Sequence, residues 1–273
     1  MTLPDVEGSL DELGYAMDEL GASGVILLAN VEGTYLGDSR FAPLLAELDR
    51  RAAVVFVHPA QLPGPPAAGI PPNIADFLLD TTRTAVSLVR ADAIRRYPHI
   101  RFILSHGGGF IPFASGRLAM TMTFDSPRTV EDLTADLRSF HVDTAQAVSP
   151  ASMPSILSFF GADHVLFGTD WPHASDAGVA YFTRNYAEAS MAPDDRAAID
   201  RGNALRLLRR PAASHPTTPT AANPRAIFAE RDRTLTAEIV DDLDAVRARD
   251  ATLTGSHRSL RKDSPTAAEG RRS

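Results

Sequence analysis

The chain of 273 residues contains no cysteine. Disulfides, thiolate nucleophiles, cysteine-zinc sites and iron–sulfur clusters are therefore excluded. Lysine is almost absent too: the basic residues are arginines apart from Lys262, close to the C-terminal end. The body of the chain offers no amine for a Schiff base, and no lysine to be carbamylated into a bridge between metals. Any metal site must be built from His, Asp or Glu, which favours a mononuclear centre. No apolar run approaches the roughly 18 residues that a spanning helix needs. The N-terminal stretch Met-Thr-Leu-Pro-Asp-Val-Glu-Gly lacks the basic and apolar regions of a signal peptide. With a net charge of −7 and a pI near 5.6, neither nucleic acid nor an anionic membrane is the expected partner. A soluble cytoplasmic protein is the expectation.

What is present is a core-forming composition, 44% hydrophobic, arranged in alternating patterns. Leu10, Leu13, Met17 and Leu20 recur at helical spacing and Gly21 ends the helix. Gly24 to Asn30 is a continuous apolar run, the pattern of a strand buried on both faces. Phe41 to Arg51 reads as a helix. Residues 61–72, rich in Pro and Gly, mark a loop. A long helix is expected from Ile74 to Tyr97, ended by Pro98. Its apolar residues are Ile74, Phe77, Leu78, Val86, Leu88, Val89 and Ile94. Further helices are predicted over 111–122, 152–160, 177–189 and 193–208, with a short strand at Phe140–Thr144. Asp194 or Asp195 falls in the first turn of the last helix, where a carboxylate suits the helix dipole. Alternation of apolar strands with helices predicts an α/β fold with a parallel sheet.

Composition changes after Leu208. Residues 1–210 form the predicted body. Residues 211–224, rich in Pro, Ala and Thr, read as a linker. Within 225–250, Leu235, Ile239, Leu243 and Val246 make one apolar stripe on a charged helix. Residues 251–273 are polar and read as a disordered tail.

Three strands share a design. Ala53-Val-Val-Phe-Val-His58-Pro59, Arg101-Phe-Ile-Leu-Ser-His106-Gly-Gly-Gly109 and His164-Val-Leu-Phe-Gly-Thr-Asp170-Trp-Pro-His173 each run from apolar residues into a metal-competent or proton-competent group. Delivering such groups at strand C-termini is how a parallel barrel builds an active site. Right-handed crossovers place Asn30, His58, His106, Thr144 and Asp170 on one rim. Asp170 is the leading candidate, because a carboxylate at the end of a Val-Leu-Phe strand is costly to bury without a cation or a proton. His58 is a candidate metal ligand if a neighbour holds its second ring nitrogen. His106, freed by the glycines that follow it, is a candidate general acid or base. A Ser105–His106–Asp170 triad is disfavoured, because strand alternation turns Ser105 away from His106. His173 is close enough in sequence to reach the rim, and Arg117 is a possible partner for a substrate carboxylate. His99 and His164 sit at strand starts, and His141 lies inside a strand. His215 and His257 fall in the linker and tail.

Taken together, Phe56-Val-His58-Pro59, Leu104-Ser-His106-Gly-Gly-Gly109, Leu166-Phe-Gly-Thr-Asp170-Trp-Pro172 and Gly202-Asn203-Ala204 resemble the amidohydrolase-related family. The branch is that of aminocarboxymuconate-semialdehyde decarboxylase and the resorcylate-type decarboxylases, and the resemblance covers about Ser9 to Leu208. It implies a distorted TIM-type (β/α)8 barrel with one divalent metal, zinc or manganese. By position, His58 and Asp170 are similar to metal ligands on the fifth and eighth strands. His106 is similar to the catalytic histidine after the sixth. The implied chemistry is non-oxidative decarboxylation, or hydrolysis, of an aromatic or unsaturated carboxylate, a small-molecule substrate.

The family also carries His-x-His or Glu-x-His on its first strand, and neither occurs here. If the strand ending at His58 is the fifth, the one ending at Asn30 is the fourth, and the expected object is an incomplete barrel of about five parallel strands. A catalytic zinc takes three protein ligands, of which two are matched. Exposed sheet edges predict pairing with another chain, such as a homo-oligomer, or a frame that extends upstream of Met1. The alternative to an enzyme is an inactive fragment or an interaction subunit.

Overall fold

The strands of the main sheet are short and apolar, and at least one helix separates each from the next. In a computed structural model, which describes residues 3–65 and 67–208, these units form an α/β fold. Its five-stranded parallel sheet has the order β1 (Gly24–Leu28), β4 (Val54–His58), β5 (Arg101–Leu104), β6 (His141–Asp143) and β7 (Val165–Leu166). A two-stranded hairpin, β2 (Asn30–Val31) with β3 (Thr34–Tyr35), follows β1. The sheet is an open arc of a (β/α)8 barrel, with all five strand C-termini on one rim. The predicted linker, amphipathic helix and tail at 211–273 lie outside the described residues.

Helices flank the sheet. They are α1 (Val6–Gly14), α2 (Ala42–Arg50), α3 (Pro72–Arg90), α4 (Ala93–Arg96), α5 (Ile111–Met122), α6 (Val130–Arg138), α7 (Ser152–Phe160), α8 (Asp176–Glu188), α9 (Pro193–Ala197) and α10 (Asn203–Leu207). Val55, Val57, Phe102, Leu104, Val142 and Val165 point outward into one core with Leu44, Leu88, Leu133 and Ile156 from the helices. Strand alternation puts the next residues on the inner face. There Val54, Ile103 and Leu166 pack with Leu207 of α10. Asn203 anchors α10: its buried side-chain amide donates to the carbonyls of Ala162 (2.7 Å) and Val165 (2.5 Å). Asp194 and Asp195 both lie in the first turn of α9.

Several expectations need correction. The first strand is not buried on both faces, since Ile26 and Leu28 are 63% and 48% exposed. Among the described residues β1 is an edge strand that pairs only with β4. The helix predicted over 74–97 breaks at Asp92, whose left-handed backbone (φ 57°) separates α3 from α4. Its buried face is also more polar than predicted: Asp80, Thr81 and Thr84 are buried beside Ala85 and Leu88, whereas Ile74 is exposed. The first helix gives way at Tyr15 to a wider π turn, and Leu20 is left exposed. Finally, the last strand pairs only at Val165 and Leu166. Beyond it the Phe167 N–H donates to the Ile199 carbonyl, outside the sheet.

Candidate active site

Two of the five rim positions serve the fold rather than a site. Asn30 is buried; its amide donates to Asp80 Oδ1 (2.8 Å) and the Gln61 carbonyl (3.1 Å), and its oxygen accepts from the Gly33 N–H (3.0 Å). Asp80 Oδ2 in turn accepts the Ala60 N–H at 2.8 Å. The pair therefore ties the end of β1 and the loop after His58 to α3. Burial pushes the Asp80 carboxyl up from its ordinary range, against these bonds. Thr144 clamps the irregular continuation of β7: its hydroxyl donates to the Gly168 carbonyl and accepts the Gly168 N–H, both at 3.0 Å. That clamp carries the chain from the last ladder bond to Asp170.

His58, His106 and Asp170 come together. One potential ligand atom from each lies within 4.8 Å of the other two. Asp170 Oδ1 is 3.5 Å from His58 Nε2, and Oδ2 is 3.5 Å from His106 Nε2. These separations are too long for strong hydrogen bonds. Both imidazole Nε2 atoms are buried without a hydrogen-bond partner. The His58 Nδ1–H donates to the Pro59 carbonyl at 3.1 Å, which leaves Nε2 as a free lone pair aimed at the carboxylate. The two rings meet edge to face with centroids 5.5 Å apart, and His173 stands 6.0 Å from His58. Burial lowers the His106 pKa; Asp170 opposes that shift and His58 adds to it.

The turn that presents His106 is built from left-handed backbone. His106 itself has φ 56°, and Gly107, Gly108 and Gly109 follow with φ 64°, 75° and 64°. Only glycine suits Gly109, because a Cβ there would lie 2.3 Å from the Leu78 carbonyl oxygen. Asp170 (φ 63°) and Gln146 (φ 50°) share this conformation, so three non-glycine residues in sparsely populated backbone regions meet at one place.

Two participants escaped the sequence reading. Asp143, buried at the end of β6, accepts the His106 N–H at 2.7 Å and the Ala145 N–H at 3.1 Å. Burial raises its carboxyl to about 7, although these bonds pull the other way. Its one sequence signal is a carboxylate at the end of an apolar strand, the same signal that marked Asp170. Gln146 donates its side-chain amide to Asp170 Oδ2 in a short hydrogen bond; nothing in the sequence distinguished it.

The remaining candidates lie elsewhere. Ser105 Oγ is buried with no partner, so no Ser–His bond supports a triad. Arg117 is exposed on α5. His141 and His164 pack edge to face at 4.6 Å near the opposite ends of their strands, with His141 held neutral by burial down to a pKa of about 4. His99 pairs with Asp49 at the surface. His215 and His257 are outside the described residues.

A cavity of about 460 Å3 opens beside His106 and Gln146. Its walls include Leu78, Phe110, Phe113, Val148, Ile156 and Phe182. No Asp, Glu, Lys or Arg lines it. The arrangement places His106 at the edge of an apolar slot, with His58 and the Asp170 carboxylate beside it.

The amidohydrolase family model matches residues 1–210. The 6-methylsalicylic acid decarboxylase of Penicillium expansum is 35% identical over 218 residues, covering 77% of this chain and 67% of that protein. The enzyme of the same name from Aspergillus aculeatus is 34% identical, with the same coverage of each chain. A solved amidohydrolase structure superposes with a TM-score of 0.70 at 27% identity, covering 76% of this chain and 68% of the other. The chain thus spans about two thirds of the length of the curated relatives it matches. From its strand-end residues to its sheet, this chain belongs to the amidohydrolase family, in the branch that holds the decarboxylases.

Proposed function

We propose that this protein serves a metal-dependent, non-oxidative decarboxylation of an aromatic or unsaturated carboxylate, as a cytoplasmic, self-associating enzyme. The observation that carries this reading is the convergence of His58, His106 and Asp170 beside an apolar slot. The donor set fits a divalent cation, zinc or manganese. Two buried Nε2 atoms lack partners and face one carboxylate, an arrangement costly to bury without a cation. His58, oriented by the Pro59 carbonyl, and Asp170 would hold it. When bound, a divalent ion supplies Lewis-acid polarisation of substrate oxygens.

The protein's own groups divide the remaining work. The apolar walls exclude water from the ring and orient it, and they offer no cation to the substrate carboxylate. That carboxylate is directed instead to the polar cluster. Loss of CO2 breaks one C–C bond and leaves its electron pair on the ring carbon, which takes up one proton; no oxidant or reductant is involved. His106 Nε2, at the slot edge, is the atom that delivers this proton. Burial makes its protonated form a stronger acid, which suits delivery. The names of the 6-methylsalicylic acid decarboxylases support a hydroxylated benzoate as the substrate class.

The test combines metal analysis with CO2 release from hydroxybenzoates. Stoichiometric zinc or manganese that is lost in Asp170→Ala, with CO2 released only by loaded protein, is the expected result. Absence of both would leave the alternative, a non-catalytic interaction subunit.

A further inference from the structure

We infer that Gln146 is a positioning residue that aims the Asp170 carboxylate at the two imidazoles and thereby sets cation affinity at the cluster; this rests on the reading of the cluster as a divalent-metal site. Rotation of a carboxylate about its last side-chain bond is soft, with a broad, roughly two-fold preference. Asp170 nevertheless presents Oδ1 to His58 and Oδ2 to His106, each at 3.5 Å. Among the described residues, the Gln146 amide is the side-chain donor that hydrogen-bonds that carboxylate, and it does so at Oδ2. The donor approaches from the cavity side, since Gln146 lines the slot together with His106. Bonded there, the carboxylate cannot turn without losing its donor, and its free lone pairs stay directed to the histidines.

The backbone points the same way. Gln146 sits at φ 50°, a conformation that favours glycine over a long side chain. A turn needed only for its shape would be served better by glycine. Glycine would supply the turn without a donor, whereas glutamine supplies the bond to Asp170. The same side chain touches both the slot and the carboxylate, so it couples how a substrate seats to how the ligand is held.

Glycine at this position separates the two explanations. The metal-free Gln146→Gly protein is expected to melt at or above the wild-type temperature, because the backbone is relieved. Its affinity for zinc or manganese, titrated by calorimetry, is expected to fall by roughly 10- to 100-fold, the usual cost of losing a contact that orients a ligand. Gln146→Leu, similar in bulk but without a donor, is expected to lose affinity to the same extent. Binding by Gln146→Gly within two-fold of wild type would overturn the inference while leaving the metal reading intact. A wild-type protein that takes up neither ion overturns both.

Discussion

The backbone N–H of His106 is held by the carboxylate of Asp143, 37 residues away, at 2.7 Å. The same oxygen accepts the Ala145 N–H, so one buried acid fixes the start of the glycine turn and the loop after β6 together. Asp143→Ala leaves two buried donors unpaired and is expected to cost about 1–3 kcal/mol for each group that stays dry. Asp143→Asn keeps an accepting oxygen and should cost less. Urea denaturation of the three proteins reads the order directly; equal stabilities would show that the contact contributes nothing.

Asp143 also predicts a pH dependence with a definite sign. Its carboxyl titrates near 7 in the folded protein, against an ordinary 3.8. Between about pH 4 and pH 7 the native state holds a proton that the unfolded chain releases. Its contribution to stability is therefore full below about pH 4 and is lost as pH rises through 7. In metal-free protein, the stability difference between wild type and Asp143→Asn should shift against wild type across that window. A difference curve that stays flat from pH 4 to pH 7 contradicts this.

His106→Asn removes the proton carrier while His58 and Asp170 remain. Decarboxylation by the loaded protein is expected to drop by about 10²- to 10⁴-fold, with cation stoichiometry kept. Loss of the bound ion in this variant would instead make His106 a ligand.

Gly109→Ala meets two obstacles at once. Its backbone (φ 64°, ψ −126°) lies in a region open to glycine, and the new Cβ would strike the Leu78 carbonyl. A destabilisation of at least about 1–3 kcal/mol is expected, with a matching fall in turnover because the turn carries His106. A melting temperature equal to wild type would refute it.

Much of this was legible in the sequence, for a local reason. His58, His106 and Asp170 each end an apolar strand, and a strand end is a pattern within one segment. The parallel α/β order followed from the same segments. Asn30 and Thr144 met the same criterion yet turned to structural bonds, because a rim position fixes only where a side chain begins. Asp143 and Gln146 act through partners 37 and 24 residues away, a relationship no window of neighbouring residues contains. The break at Asp92 was equally hidden, since a left-handed residue between two helices leaves the apolar spacing intact.

The hydroxyl of Thr144 has a consequence for protein engineering. Asp170 does not inherit its place from the ladder of its own strand, which ends at Leu166, but from a clamp reaching across from β6. Transplanting the acid and its preceding strand into another scaffold would carry the chemistry without the coordinates. A graft that keeps the site must move the threonine of the adjacent strand as part of the same cassette.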